Sequence, residues 1–242
     1  MIMNRLAIVT GGTRGIGASI SKILKINKFI VIANYNSNDA AAEEFSKKND
    51  IQVMKWDVSK YEDCSQNIEK IRKSHGNIEI LVNNAGITKD APLHKMKKED
   101  WDKVINVNLN SVYNMSSGVI NEMRINGFGR LVHISSVNGQ KGQFGQTNYA
   151  ATKSALVGFS KSLALESASK GITSNVIAPG YINTEMVAAI REDILSKIIE
   201  TIPTKRLGDS DEIAEMVLYL VSEKASYING ATFSVNGGLW MD

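Results

Sequence analysis

The chain has 242 residues, of which 43% are hydrophobic and 22% are charged, so it can bury a sizeable core and is not expected to be disordered. Its 28 Lys and Arg residues against 25 Asp and Glu residues leave a formal charge of +3, which gives no support to a nucleic-acid or membrane-surface partner. A single cysteine, Cys64, excludes an intramolecular disulfide and a thiolate metal site. The apolar run Leu6–Val9 is far shorter than a signal sequence or a membrane span, so the sequence predicts a cytoplasmic protein.

Short apolar runs alternate along the chain with longer segments of helical periodicity. Seven strands are predicted, near Arg5–Thr10, Phe29–Tyr35, Ile51–Val58, Ile78–Asn83, Gly129–Ser135, Gly171–Ala178 and Thr232–Val235. The predicted helices are Gly15–Lys25, Ala40–Asn49, Ser59–Ser74, Lys98–Arg124, Asn148–Lys170 and Asp209–Ser222. This alternation predicts an α/β fold, a Rossmann-like doubly wound parallel sheet with helices on both faces. Since no segment has the composition of a linker, residues 1–242 are expected to form a single domain.

A glycine-rich turn, Thr10–Gly17, joins the first predicted strand to the first predicted helix. Its glycines would let the backbone come close to a pyrophosphate held at the helix N-terminus, although the spacing is G-x-x-x-G-x-G rather than G-x-G-x-x-G. Polar residues follow later strands at the same sheet edge, with Asp57 and Val58 placed for an adenine amino group, and Asn83–Gly86 beside them. Each group alone could be a tight turn or a cap. Together they predict a dinucleotide site formed by Gly11, Thr13, Arg14, Gly15, Ile16, Gly17, Asn34, Asp57, Val58, Asn84, Ala85 and Gly86.

The end of the second predicted strand indicates which dinucleotide binds. NAD sites usually place a carboxylate there for the ribose hydroxyls, whereas this chain has Asn34–Asn38, which contains no acid. Arg14 is a planar cation suited to a 2′-phosphate, and the nearest acid, Asp39, is expected to begin the next helix. These features predict NADPH and NADP+ as the cofactor. The alternative is that Arg14 is only a solvated surface charge.

A serine and a Tyr–Lys pair come next along the predicted sheet edge. The fifth predicted strand ends at Ser135 and Ser136, and Tyr149 follows Ser136 by thirteen residues. Tyr149 and Lys153 are four residues apart and share one helical face. A neighbouring ammonium and an oxidised nicotinamide would stabilise the phenolate and lower the tyrosine pKa, as acid–base catalysis near neutral pH requires. A surface tyrosine stacked on a lysine stem is the alternative for an isolated Y-x-x-x-K motif.

In the order of these motifs the chain resembles the short-chain dehydrogenase/reductase family over essentially its whole length. The matching residues are Thr10–Gly17, Asp57, Asn83–Gly86, Asn108, Ser136, Tyr149, Lys153, Pro179, Gly180 and Thr184. The resemblance implies that Tyr149 is the general acid in reduction and that Ser136 hydrogen-bonds the substrate carbonyl, since strand alternation turns Ser135 to the opposite face.

The same resemblance assigns the remaining cofactor contacts. It implies that Lys153 holds the nicotinamide ribose and lowers the Tyr149 pKa, while Asn108 holds a water in a proton relay behind Lys153. Further contacts are implied for Ile182 and Thr184, at the nicotinamide carboxamide. The resemblance also implies that Pro179 and Gly180, in the same loop, bind the cofactor.

Two groups within this family compete as the nearest relatives, the acetoacetyl-CoA reductases and the 3-oxoacyl-carrier-protein reductases of fatty acid synthesis. The segments Ser135–Tyr149 and Gly180–Ile182 look like those of the acetoacetyl-CoA reductases, which implies (R)-3-hydroxybutyryl-CoA as product, a polyhydroxybutyrate precursor. The predicted substrate pocket contains a few orienting amides, rings and hydroxyls, supplied by Asp90, Ser136, Gln143, Phe144, Gln146, Tyr149 and Tyr181. Arg130 and Lys170 lie where carrier-protein reductases keep cations, but a basic residue can equally meet the phosphates of coenzyme A, so these positions do not discriminate. An acyl-carrier-protein substrate stays the alternative.

Three expectations concern the rest of the chain. The three histidines lack metal-ligand spacing, so no metal is predicted. The apolar residues of Phe233–Met241 look exposed and suggest a subunit contact, and the resemblance implies a homotetramer. A non-catalytic NADP-binding sensor or scaffold is a remote alternative, because such proteins usually lack the tyrosine or the lysine.

Overall fold

The computed structural model describes residues 4–188 and 191–241 and forms one seven-stranded parallel sheet flanked by helices. The strand order is β3-β2-β1-β4-β5-β6-β7, so the chain starts in the middle, moves outward to β3 and then crosses back to β4. The strands are β1 (Leu6–Val9), β2 (Ile30–Tyr35), β3 (Gln52–Lys55), β4 (Ile78–Asn83), β5 (Gly129–Ile134), β6 (Ile172–Pro179) and β7 (Thr232–Val235). The predicted α/β fold is confirmed, and the order reverses between β1 and β4, where such sheets bind ligands.

Helices cover both faces because successive strand residues point in opposite directions. Ala7 and Val9 of β1 belong to one core cluster, and Leu6 and Ile8 to the other. The helices are α1 (Gly15–Ile26), α2 (Asp39–Asn49), α3 (Tyr61–His75), α4 (Lys98–Ile105), α5 (Ser111–Asn126), α6 (Val137–Lys141), α7 (Thr147–Ser167), α8 (Glu185–Ala188), α9 (Glu192–Thr201) and α10 (Ser210–Val221). Helices α1 and α10 supply residues to the first cluster, and α3 and α5 to the second.

The predicted helix Lys98–Arg124 is found as a continuous helical segment, in which the π-helical turn Asn106–Asn110 joins α4 to α5. Within this turn, Asn108 is 1% exposed and pairs with the backbone of a distant residue, Ile87. Apolar periodicity along a helix does not show such a tertiary contact. The short helices α6, α8 and α9 were not predicted.

A buried polar network crosses the middle of the sheet around His133, which is fully buried. One imidazole nitrogen, Nδ1, pairs with Asn83 Nδ2 at 3.1 Å, and the other, Nε2, pairs with Ser174 Oγ at 3.1 Å. Asn83 also donates to Ser116 Oγ, and Ser174 pairs with Ser160 Oγ. The network therefore connects three strands with α5 and α7, and burial lowers the His133 pKa from the usual 6.5 to about 3.

Acid should destabilise the protein through this histidine. Because the folded-state pKa lies below 6.5, the unfolded chain binds the proton more readily, so the contribution of neutral His133 is full above pH 6.5 and is lost progressively as the pH falls toward 3. We expect the wild type to lose about 2 kcal/mol more unfolding free energy between pH 8 and pH 5 than the variant His133→Asn. Urea unfolding at both pH values measures this difference, and His94→Asn at an exposed site is the control. Equal losses in the wild type and His133→Asn would contradict the expectation.

Candidate active site

The glycine-rich loop after β1 closes tightly against the loop that follows β4. Gly11 has a φ of +60°, and its N–H donates to Asn34 Oδ1 at 3.3 Å. A Cβ at Gly17 would overlap the Gly11 carbonyl oxygen and would lie 2.6 Å from Asn84 Nδ2. Asn84 Nδ2 in turn donates to the carbonyl oxygen of Thr10 at 2.9 Å. Side chains are therefore excluded where a bound pyrophosphate requires close approach of the backbone.

The N-terminus of α1, directly behind this loop, is suited to bind a phosphate. Its N-cap residue, Arg14, makes no side-chain capping hydrogen bond, and the first turn contains no acid. The Arg14 side chain is exposed and makes no hydrogen bond or ion pair with any residue in the described part of the chain. Thr13 and Gly15 lie in the loop, and Ile16 packs against the core. N–H donors without partners and an available guanidinium fit a phosphate-bearing dinucleotide.

Asn34 supports the loop rather than presenting its amide to a ligand. It is 2% exposed, its Nδ2 donates to the Trp56 carbonyl oxygen at 3.0 Å, and its Oδ1 accepts from Gly11. The prediction of a direct contact between the Asn34 side chain and the cofactor is corrected accordingly. The side chain acts by fixing the position of Gly11.

The acid nearest to the end of β2 is neutralised by a partner. Asp39 begins α2, as the sequence predicts, and its carboxylate pairs with Lys55 Nζ at 2.9 Å. The Lys55 hydrogen bond holds the pKa of Asp39 below its usual value, and a Tyr35 hydrogen bond acts in the same direction. A carboxylate occupied in this way offers little repulsion to a 2′-phosphate at this edge.

Asp57 and Val58 follow β3, where an adenine contact was predicted. One oxygen of Asp57, Oδ1, accepts from the N–H and the hydroxyl of Ser59 at 2.9 and 2.7 Å, which is the capping arrangement that the sequence left as an alternative. The Val58 side chain is 5% exposed in the core, and its carbonyl oxygen accepts from Asn114 Nδ2. The second carboxylate oxygen of Asp57 has no protein hydrogen bond in the described chain.

The loops after β4 and β6 complete the dinucleotide cradle. The backbone N–H groups of Asn84 and Ala85 both donate to Thr10 Oγ1, which ties the β4 loop to the glycine loop. A Cβ at Gly15 would lie 3.5 Å from Thr184 Cγ2, so the β6 loop meets the glycine loop on its other side. Pro179 and Ile182 are buried, and Gly180 packs so closely on Asn236 that its ideal Cβ would lie 2.8 Å from the Asn236 Cα.

Ser136, Tyr149 and Lys153 come together after β5. Ser136 caps α6, with its Oγ accepting from the Asn138 N–H at 3.1 Å, and it lies close enough to Tyr149 to lower the pKa of that phenol. Lys153 is 4% exposed; its Nζ donates to the Ile134 carbonyl oxygen at 2.7 Å and lies 5.6 Å from the centre of the Tyr149 ring. Helical spacing places the tyrosine and the lysine on one face of α7. The serine comes from a different element, since it directly follows the end of β5.

Burial is the main influence on the pKa values of Tyr149 and Lys153 in the polypeptide. Burial raises the pKa of Tyr149, the neighbouring Ser136 hydroxyl lowers it, and the charge of Asp90 raises it. Burial lowers the pKa of Lys153 to about 8. In the polypeptide alone, desolvation has the larger effect on Tyr149, and the lowering of its pKa by Lys153 together with an oxidised nicotinamide stays a prediction. A phenol with a raised pKa keeps its proton at neutral pH and can donate it.

Asn108 lies behind Lys153, in the π-helical turn. Its Oδ1 accepts from the Ile87 N–H at 2.8 Å, and its Nδ2 donates to the Ile87 carbonyl oxygen at 2.9 Å. An ideal Cβ at Gly86 would lie 3.4 Å from Asn108 Oδ1 and 3.5 Å from Lys153 Nζ. The amide of Asn108 thus fixes the β4 loop beside the lysine, and the water-holding role of this residue stays a prediction.

The side chains predicted to contact the substrate divide into two groups. Asp90 and Gln146 are connected to the catalytic group: Gln146 Nε2 donates to Asp90 Oδ2 at 2.8 Å, Asn138 Nδ2 donates to Gln146 Oε1 at 3.0 Å, and the Asn138 N–H donates to Ser136 Oγ. Burial raises the pKa of Tyr181, and the neighbouring Asn138 amide lowers it. Asn138 was not singled out, and no local sequence pattern marks it. The fully buried Asn148, which accepts from the Tyr149 N–H and donates to the Lys89 carbonyl oxygen, was also missed.

The structure does not place Gln143 and Phe144 with that group. Gln143 Oε1 accepts from Lys141 Nζ at 3.1 Å on the exposed surface, and Phe144 is 86% exposed. Both lie on the loop between α6 and α7, where the sequence pattern cannot distinguish a pocket wall from its outer rim. The prediction that the Phe144 ring surrounds the acyl chain is not met in this conformation.

The two cations considered for carrier-protein binding lie elsewhere. Arg130 is 3% exposed; its guanidinium donates to the carbonyl oxygens of Gly129 and Gly171 and stacks on Phe128, 4.3 Å from the ring centre. Because β5 starts at Gly129, this position is at the edge opposite the carboxyl ends of the strands. Lys170 is exposed, but it precedes β6 at the same edge. A buried arginine is unavailable for docking an acidic protein.

The C-terminal residues are less exposed than the sequence suggested. Phe233 and Val235 pack against the core, whereas the Met241 side chain is 77% exposed. Across residues 4–188 and 191–241, no helix is long and apolar enough to span a membrane. In the same ranges, no three His, Cys, Asp or Glu side chains are grouped as metal ligands.

Comparison with known families agrees with the chemistry of this site. A family model described as Enoyl-(Acyl carrier protein) reductase matches residues 11–240, and the chain belongs to the short-chain dehydrogenase/reductase family of nicotinamide-dependent oxidoreductases. The chain is 54% identical to an acetoacetyl-CoA reductase of Shinella zoogloeoides and 52% identical to one of Rhizobium meliloti, in each case over 98% of both chains. It is 44% identical to a 3-oxoacyl-[acyl-carrier-protein] reductase of Escherichia coli, again over 98% of both. The resemblance found in the sequence is confirmed.

Proposed function

We propose that this protein is an NADPH-dependent reductase of acetoacetyl-CoA that yields (R)-3-hydroxybutyryl-CoA. The observation that carries the proposed chemistry is the position of the buried Lys153, whose Nζ lies 5.6 Å from the centre of the Tyr149 ring, with Ser136 beside them at the carboxyl end of β5. The thioester class is supported by the names of relatives more than 50% identical over 98% of their length. The product suits a role in polyhydroxybutyrate synthesis.

In the proposed reaction Ser136 and Tyr149 both hydrogen-bond the 3-carbonyl oxygen of the substrate. The bound nicotinamide supplies a hydride to the carbonyl carbon. Tyr149 donates its proton to the oxygen, and its raised pKa, which is due mainly to burial, keeps that proton in place until the oxygen becomes basic. Lys153 remains beside the tyrosine and has further N–H groups for the ribose. Asn108 holds the loop that carries Gly86 against the lysine, in the position from which a water would return a proton.

NADPH as the cofactor is supported by the charges around the glycine loop. Arg14 is available at the N-terminus of α1, and the nearest acid at the end of β2, Asp39, is paired with Lys55. We propose direct cofactor contacts for Thr13, Arg14, Asp57 and Thr184, whose side chains line the edge of the sheet. Gly11, Gly15 and Gly17 would contribute close backbone approach, and Asn34 and Asn84 would fix their positions.

Arg14→Ala should weaken NADPH selectively. A charge-assisted contact to phosphate contributes roughly 1.5–3 kcal/mol, so the KM for NADPH should rise about 10- to 100-fold while the KM for NADH changes little. Steady-state kinetics with each nucleotide measures the effect. Lys22→Ala, which removes an exposed cation from the same helix, is the matched control. A parallel rise in both KM values would show that Arg14 does not read the 2′-phosphate.

The choice of coenzyme A over a carrier protein is supported by the position of Arg130. Its guanidinium is buried and satisfied by backbone carbonyl oxygens, so it adds no positive surface for an acidic carrier. The test compares acetoacetyl-CoA with the acetoacetyl carrier-protein thioester at equal concentration, with NADPH and then NADH, by the loss of nucleotide absorbance. A much higher kcat/KM for the CoA thioester is expected. A preference for the carrier-protein thioester would assign the enzyme to fatty acid synthesis.

We also propose how the protein is organised. Residues 1–242 form a single domain, since one sheet with two core clusters includes all seven strands. The proposed assembly is a homotetramer, as in the family that the sequence resembles, and exposed apolar residues such as Tyr113 on α5 and Leu165 on α7 suit such contacts. A cytoplasmic location fits the single buried cysteine. Light scattering of the purified protein tests the assembly.

A further inference from the structure

An ion pair at the start of α10 holds a tight turn of the chain. Glu212 Oε1 accepts from Arg206 Nη2 at 2.7 Å, and Glu212 Oε2 accepts from Arg206 Nη1 at 2.8 Å. The same Oε2 accepts from the Asp209 N–H at 2.8 Å, and Arg206 Nη1 also donates to the Leu207 carbonyl oxygen at 3.0 Å. One carboxylate therefore holds both ends of the turn 206–209, and we call the Arg206–Glu212 pair the clasp.

Gly208, inside this turn, pairs with the loop that follows β6. Its N–H donates to the Tyr181 carbonyl oxygen at 2.9 Å, and its carbonyl oxygen accepts from the Asn183 N–H at 2.8 Å. Ile182, between these two residues, is 3% exposed, and an ideal Cβ at Gly208 would lie 2.7 Å from Ile182 Cδ1. The turn therefore fixes residues 181–183 by two backbone hydrogen bonds and by close packing.

The clasp is built on a helix that packs against α1. Ile213 and Ala214, which directly follow Glu212, are fully buried, so this end of α10 is anchored in the core. Ser210 Oγ also pairs with Ser19 Oγ of α1 at 2.9 Å. Since the N-terminus of α1 is the candidate phosphate site, α10 and the clasp connect the loop after β6 to the helix that would bind the pyrophosphate.

The loop after β6 lies on the side of the sheet edge where the nicotinamide has to react. Strand β6 pairs with β5, whose last residue, Ile134, accepts a hydrogen bond from the catalytic lysine, Lys153. The predicted adenosine contacts follow β2 and β3, on the other side of β1. A dinucleotide with its pyrophosphate at the glycine loop therefore points its nicotinamide half toward the loop after β6. In agreement, an ideal Cβ at Gly15 would lie 3.5 Å from Thr184 Cγ2.

We propose that Arg206 and Glu212 are positioning residues for the nicotinamide half of the cofactor, because their clasp fixes the loop after β6 where that half binds. This inference rests on the proposed function, in which that loop contacts the nicotinamide of NADPH. The adenosine end binds on the opposite side of β1, so its binding does not depend on the clasp.

The geometry of the clasp matters more than its charge. The two side chains are 55% and 43% exposed, so their attraction alone contributes little to global stability. A planar guanidinium on both oxygens of a carboxylate fixes direction as well as distance, which a single ammonium does not. The Arg206 hydrogen bond, followed by that of the Asp209 N–H, lowers the pKa of Glu212 to about 2, so the clasp is charged at neutral pH.

Binding of NADPH compared with binding of 2′,5′-ADP tests the proposal, because 2′,5′-ADP contains the adenosine end without the nicotinamide. Glu212→Gln keeps one oxygen for the Asp209 N–H, as a capping box allows, but loses the bidentate pair. Arg206→Lys keeps the charge but loses the planar fork. Each variant should raise the Kd for NADPH about three- to tenfold and leave the Kd for 2′,5′-ADP within about twofold of the wild-type value. Fluorescence titration of NADPH, alone and in competition with 2′,5′-ADP, measures both constants.

A double variant and a matched control complete the test. Arg206→Lys combined with Glu212→Gln should weaken NADPH by no more than about twofold beyond the weaker-binding single variant, since both act through one clasp. Asp193→Asn removes another exposed bidentate ion pair, formed with Arg191 beside α9, and should leave both Kd values unchanged.

Two results would overturn the proposal. Equal weakening of NADPH and 2′,5′-ADP in the clasp variants would show a general loosening of the fold. Unchanged NADPH binding would show that the loop after β6 keeps its place without the clasp. Retained affinity for 2′,5′-ADP also verifies that each variant is folded.

Failure of the proposed function has a different signature. The titrations contain no thioester, so a wild type that reduces a substrate other than acetoacetyl-CoA leaves them unaffected, and selective weakening of NADPH would still support the clasp. If the wild type prefers NADH, the proposed cofactor is wrong, and the same comparison with NADH and ADP decides the role of the clasp. If the wild type binds neither nucleotide, both proposals fall.

Discussion

Tyr149→Phe should lower kcat about 10²- to 10⁴-fold, the range that a positioned general acid contributes. The substitution removes the hydroxyl near Ser136 and keeps the ring beside Lys153 Nζ. The Kd for NADPH should change little, because the cofactor cradle is untouched. Steady-state kinetics and a fluorescence titration of bound NADPH measure the two quantities separately.

The control for this prediction is Tyr61→Phe, which changes a half-exposed tyrosine on α3, distant in the sequence from the site. Its kcat should equal that of the wild type. If Tyr149→Phe kept more than a tenth of the wild-type kcat, the proton would have to come from another group, and the proposed role of Tyr149 would be wrong. Far-UV circular dichroism of both variants verifies that the fold is retained.

Gly17→Ala should be the most damaging single-methyl change in the cofactor cradle. The added Cβ would overlap the Gly11 carbonyl oxygen and lie 2.6 Å from Asn84 Nδ2, so two loops have to move apart. Overpacking of this kind costs about 1–3 kcal/mol of unfolding free energy. The shifted glycine loop should also weaken NADPH at least about tenfold, since phosphate binding depends on that backbone. Urea unfolding and NADPH titration measure the two effects.

Gly158→Ala provides a matched comparison for the same methyl group. An ideal Cβ at Gly158, on an exposed position of α7, meets nothing within 4 Å. Because alanine is a better helix former, this variant should be as stable as the wild type or about 0.5–1 kcal/mol more stable. If Gly17→Ala bound NADPH as tightly as Gly158→Ala does, the inferred close approach at the glycine loop would be incorrect.

The sequence was sufficient to predict the sheet and the main contributors to the site, because these depend on local patterns. Alternation of apolar runs and helical segments predicts the seven strands, and parallel strands bring their carboxyl ends to one edge. Helical spacing alone places Tyr149 and Lys153 on one face of a helix. Gly17 is recognised from the glycine-rich turn Thr10–Gly17 between the first strand and the first helix. These features need no information about distant contacts.

The tertiary structure decided how the polar side chains are used. Whether Asn34 meets the cofactor or the backbone of Gly11, and whether Arg130 is a docking cation or a buried one, depends on residues far away in the chain. The pairing of Asn108 with Ile87 and the hydrogen bond from Gln146 to Asp90 likewise join residues that are far apart in the sequence. The sequence by itself thus determined the fold, the family and the reacting groups, because periodicity and spacing are local. Burial and hydrogen-bond partners are set by packing between distant parts of the chain. Only the folded structure therefore showed how burial changes the pKa values of the site residues, and which polar side chains support the loops instead of facing a ligand.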